Sequence, residues 1–100
     1  MDESGTHEVF DALQVLSRLG KVLTVQVDGK TKIYVEGCII VGGGLSLPCE
    51  AAGDDANEAI FTLLWKLQGL PAEHYVMNAK WSRLRLADNT WSRIDRTKGE

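Results

Sequence analysis

Residues 21–36 read KVLTVQVDGKTKIYVE. The first seven residues alternate and are rich in β-branched types, which suits a strand with a period of two. KTKIYVE repeats the pattern after Asp28-Gly29, a dipeptide that accepts positive φ at both central positions of a tight hairpin turn. This stretch therefore predicts two antiparallel strands, and the rest of the chain is read outward from them.

On the N-terminal side, HEVFDALQVLSRL (7–19) has the three- and four-residue spacing of a helix. Val9, Leu13, Leu16 and Leu19 form its stripe, flanked by Phe10 and Ala12. Thr6 suits the start, and Gly20 suits a left-handed residue just past the end. On the C-terminal side, CIIVGGGLSLP (38–48) predicts a third strand, kinked or bulged by Gly42-Gly43-Gly44. EAAGDD (50–55) reads as a loop. Asp55 and Glu58 form an acidic capping box for the helix ANEAIFTLLWKLQ, which Gly69 and Pro71 end. Phe61 and Trp65 are expected to widen its buried face; the other reading is an exposed aromatic ridge. EHYVMNA then predicts a strand, and a hairpin closes the chain. The order is α-β-β-β-α-β-β-β, an α+β two-layer fold with two helices packed on an antiparallel sheet.

One hundred residues, 44% of them hydrophobic, suffice for one domain spanning 1–100, with 1–5 and 96–100 expected to be flexible. No apolar run is long enough for a transmembrane helix, so no membrane partner is expected. The polar, acidic start MDESGTHE is unlike a signal peptide. A cytoplasmic location follows as the expectation. Cys38 and Cys49 lack metal-ligand or redox spacing and read as a reduced, buried pair. The net charge of −3 is unevenly spread. Residues 1–79 hold five Lys/Arg and eleven Asp/Glu, whereas residues 80–100 hold six and three.

No constellation for chemistry emerges. A phosphate loop needs Lys-Ser/Thr and a helix directly after its glycines, but Leu45-Ser46-Leu47-Pro48 follows the GGG run. Asp54-Asp55 is better explained by helix capping than by cation binding, which needs several converging oxygens. Neither cysteine is spaced to work with His7 or His74, and both histidines are expected to be exposed. The chain is expected to be no enzyme and to use neither cofactor nor metal. The acidic residues, Asp54, Asp55 and Glu58 among them, can present negative charge to a basic partner.

Two resemblances add to this. In element order, residues 7–68 resemble the double-stranded-RNA-binding domain, including a glycine-rich VGGG strand leading toward a helix. That family grips phosphates with a basic cluster at the second helix N-terminus. DDANEA stands at that place here, so the resemblance implies the topology and argues against that mode of RNA binding. In length, acidity and compact α+β character, the chain also resembles small accessory proteins of bacteriophages, anti-CRISPR inhibitors among them. That resemblance implies a stoichiometric inhibitor acting on a host protein or a CRISPR–Cas ribonucleoprotein, as monomer or dimer.

The terminal hairpin WSRLRLADNTWSRI (81–94) repeats Trp-Ser-Arg ten residues apart. A three-residue loop, Ala87-Asp88-Asn89, would place Trp81, Arg83, Arg85, Trp91 and Arg93 on one exposed face. A loop of two or four residues would set Leu86 opposite Trp91 and send that indole into the core. The first register is favoured because it puts Ile94 with its apolar neighbours. The expected partner-binding residues are then Trp81, Arg83, Arg85, Trp91 and Arg93, with Asp54, Asp55 and Glu58. The leading function is non-enzymatic binding of a protein partner; the alternative is nucleic-acid binding through the basic Trp/Arg hairpin.

Overall fold

The computed structural model describes residues 11–94. Thr6, His7, Glu8, Val9 and Phe10, and the ends expected to be flexible, lie outside the described residues. Within them the fold is α+β: two helices lie against one face of a six-stranded antiparallel sheet. The elements are α1 (helical over 11–17), β1 (Val22–Val27), β2 (Lys30–Gly42), β3 (Leu45–Gly53), α2 (Ala56–Gln68), β4 (Tyr75–Met77), β5 (Arg83–Ala87) and β6 (Thr90–Arg93).

The Asp28-Gly29 turn forms as expected, with φ of 52° and 78° and Val27 opposite Lys30. The third strand differs from expectation. Residues 38–42 continue β2, and Gly43-Gly44 (φ 60° and 80°) make a second two-residue turn that starts β3 at Leu45. The stretch expected to be loop, Glu50 to Gly53, belongs to β3. Two adjacent glycines meet the positive-φ demand of such a turn without strain, so the run reverses the chain instead of kinking it. Pro48 fits because β3 pairs only with β2, and a sheet edge needs no amide on its outer side.

β2 organises the sheet. β3 runs along one of its edges, while β1 (opposite 30–35) and β4 (opposite 39–41) share the other. Between the halves, residues 35–38 face the single residue Cys49. Gly37, at φ 80°, provides the bulge. The bulge shifts the alternation, so Val35 and Cys38 both point into the core. Glu36 N donates to Lys21 O at 2.8 Å, fastening the bulge to the start of β1. Gly20 is not left-handed as expected. It is needed for packing, since a Cβ there would lie 2.8 Å from Glu36 O.

The core lies between the helices and one sheet face. Leu16 of α1, Leu63 and Leu67 of α2, and Ile33, Cys49 and Val76 of the sheet are its largest fully buried side chains. Helical spacing in ANEAIFTLLWKLQ gives α2 an apolar stripe of Ala56, Ala59, Ile60, Leu63, Leu64 and Leu67, all of which are buried except Ala56. Asp55 Oδ1 accepts from Glu58 N at 2.9 Å, and Glu58 Oε1 accepts from Asp54 N at 2.6 Å. The capping box thus exists, closing on the residue before the cap.

Candidate binding face of the sheet

With both helices on one side, the other sheet face lacks a covering layer among the described residues. Register fixes which side chains stand on it. Alternation along β2 puts Ile33 and Ile40 inward, and Tyr34, Ile39 and Val41 outward. Met77 pairs with Ile39 and Tyr75 with Val41, so both share the outward face. Tyr34, Ile39, Val41, Tyr75 and Met77 are all partly exposed. Arg83 pairs with Met77, and its guanidinium carbon lies 5.4 Å from the Tyr75 ring centre. On the same face Lys32 meets Glu50 at 3.2 Å. The result is an apolar and aromatic strip flanked by one arginine and one ion pair.

The terminal hairpin takes the register that was not favoured. Leu86 opposes Trp91 and Ala87 opposes Thr90, so the loop is Asp88-Asn89, with φ of 51° and 61°. Asp and Asn both tolerate the left-handed region, and a turn with positive φ at both positions matches strand twist better than the three-residue loop. Trp91 consequently packs against the core, and its Nε1 donates to Val15 O at 2.7 Å. Arg85 is turned into the chain. Its Nη1 donates to Pro71 O at 2.7 Å and to His74 O, and its Nη2 to Leu70 O at 3.0 Å. Arg93 opposes Leu84, on the side facing away from Arg83. The shared face of five Trp/Arg residues therefore does not form.

Trp81 stands apart from both faces, in the β4–β5 connection. Asn78 builds that turn: its Oδ1 accepts from Lys80 N and Ser82 N, both at 3.1 Å, and its carbonyl accepts from Trp81 N at 2.8 Å. Trp81 has φ 61° and is 74% exposed. A bulky residue in the left-handed region is strained, and such strain clusters at functional positions. The acidic trio is spent locally: Asp55 and Glu58 cap α2, and Asp54 pairs with Lys30 at 2.9 Å. The ammonium of Lys30 holds the Asp54 carboxyl below its ordinary pKa.

Other expected features resolve as follows. Cys38 and Cys49 are buried free thiols, which burial pushes up to about 11 and about 12. His74 is not exposed as expected. Its ring packs over Gly42, with Nδ1 buried and lacking a hydrogen-bond partner among the described residues. Trp65 is 63% exposed and stacks on Phe61 at 5.7 Å, the ridge rather than the buried face. Together they line a groove of about 360 Å³ with Asp11, Leu64 and Gln68. Among the described residues, no three His, Cys, Asp or Glu side chains stand where they can hold a metal ion, and no helix is long and apolar enough to cross a membrane.

The sequence reading missed Tyr34, Tyr75 and Met77 as surface residues. The alternation of KTKIYVE carried the signal for Tyr34. Tyr75 and Met77 lie on a three-residue strand whose facing depends on its pairing with β2. No family model, curated protein or solved structure matches this chain.

Proposed function

We propose that the chain is a non-enzymatic binding protein that docks a protein partner on the open sheet face around Tyr75, with Trp81 as a projecting anchor. The observation that carries this reading is the uncovered strip of Tyr34, Ile39, Val41, Tyr75 and Met77. An apolar strip with aromatic residues and an arginine at its margin has the make-up of an interface centre. The phage-protein resemblance supplies the partner class, a host protein or CRISPR–Cas ribonucleoprotein inhibited by occupancy. Nucleic acid fits less well. Phosphate binding needs several cations on one surface. Here Lys32 is paired with Glu50, the Arg85 guanidinium is held by the carbonyls of Leu70, Pro71 and His74, and Arg83 and Arg93 point to opposite sides.

The test compares wild type, Tyr75→Ala and Trp81→Gly in capture from host lysate, alongside salt titrations with RNA and DNA. Wild type should retain one host protein or ribonucleoprotein, and each variant should weaken retention at least about tenfold, as loss of an interface anchor does. Glycine relieves the strain at position 81, so Trp81→Gly should fold at least as stably as wild type; weaker retention then reports the surface. Micromolar RNA or DNA binding with a salt slope reflecting several phosphates would sink the protein-partner reading.

A further inference from the structure

Among the described residues, the outer edge of β1 is the sheet boundary without a guard. β3 carries Pro48, and β6 is a four-residue strand that includes Arg93. β1 reads VLTVQV, with no charge, proline or glycine. Edges of that kind are templates for another strand, and proteins ordinarily blunt them. Among the described residues, the helical layer reaches β1 only at Val22, which packs against the core. Thr24 and Gln26, on the helix side, are exposed, and Val25 and Val27, on the open side, are 42% and 46% exposed. A strand can therefore approach without meeting either face.

The phase of the hydrogen bonds fixes what the edge offers. Glu36 N bonds to Lys21 O, and Val27 and Lys30 flank the two-residue turn. In an antiparallel ladder the bonded positions alternate, so Lys21, Leu23, Val25 and Val27 bond to β2. Val22, Thr24 and Gln26 then turn their N–H and C=O groups outward. These groups fit a second copy of the same strand. With Thr24 on a two-fold axis, Val22 meets Gln26 of the second copy, and each pair can exchange both of its N–H···O bonds. Leu23 meets the second copy's Val25 on the open face. Lys21 meets the second copy's Val27 on that face, and the symmetry repeats the contact at the other end.

We propose that two copies of this chain pair antiparallel through β1 about Thr24, joining their sheets into one continuous sheet with both helical layers on the same side. Sedimentation equilibrium and amide exchange test it. The mass should rise from 11.0 kDa toward twice that as concentration is raised through the micromolar range. The amides of Val22, Thr24 and Gln26 should gain protection over the same range. Thr24→Pro removes an outward amide that β1–β2 pairing does not use. Thr24→Lys sets two ammonium groups opposite each other across the axis. Both should hold the mass at 11.0 kDa with unchanged far-ultraviolet circular dichroism, and if Thr24→Pro does not fold, Thr24→Lys alone decides. Three results would overturn the proposal: a monomer at every concentration, a dimer that survives Thr24→Lys, or edge amides protected only when a separate extended peptide is added.

Discussion

On β5 the two arginines stand on one face and have different surroundings. Arg83 lies over Tyr75 on the open strip. Arg85 gathers the carbonyls of Leu70, Pro71 and His74, which follow α2 and have no strand to pair with. Hydrogen bonds to a charged donor contribute about 1.5–3 kcal/mol. Arg85→Ala should therefore lower unfolding free energy by roughly 2–3 kcal/mol. Arg85→Lys should recover little, because an ammonium lacks the fork that reaches several carbonyls at once. Urea titration of the three proteins reads this directly. The thiols give a pH dependence. Burial raises Cys38 from 9.0 to about 11 and Cys49 from 9.0 to about 12. The unfolded chain thus releases these protons first. Their contribution is fully present below pH 9.0 and is lost as pH rises through the folded values. Thermal unfolding scans should show the melting temperature falling above pH 9.0, and Cys38→Ala/Cys49→Ala should flatten that fall.

At the scale of elements, the bulge at 35–38 is the feature on which the sheet turns. Gly37 sits at φ 80°, and a Cβ there would lie 3.2 Å from Ala79 Cβ. Gly37→Ala should cost about 1–2 kcal/mol in strain and crowding, seen as a lower denaturation midpoint with an unchanged slope. The bulge also marks how far the sequence could be read. The Asp28-Gly29 turn, the α2 stripe and its capping box were legible because each signal is local and unambiguous. A run of three glycines says that the chain departs from a regular strand but not which two form the turn, so β3 was displaced. Val35 and Cys38 both point inward although they are three apart, and no period-two reading anticipates that. The terminal hairpin failed for a related reason. Both loops were chemically reasonable, and the contact that accompanies the observed register, the Trp91 indole N–H donating to Val15 O, joins residues too far apart in the chain for local pattern to show.

At the scale of the whole molecule, helices fill one face of the sheet, and among the described residues the other is left open. The face was partly legible: Tyr34 follows from alternation along β2. Tyr75, Met77 and Arg83 become its neighbours only when β4 pairs with the half of β2 beyond the bulge. Trp81 was readable as a candidate from residue type alone, but its exposure and strain depend on the turn that Asn78 builds. The Trp91 bond has a further consequence, in time rather than in space. It joins residues 76 positions apart, connecting the first helix to the last strand. Contacts between distant residues carry the largest loop-closure cost, and the β1–β2–β3 meander, made by two tight turns, can form long before them. The indole should thus reach its place after the folding transition state. In stopped-flow kinetics, Trp91→Phe should leave the refolding rate nearly unchanged and speed unfolding about fivefold, the whole of a hydrogen bond of about 1 kcal/mol appearing on the unfolding limb.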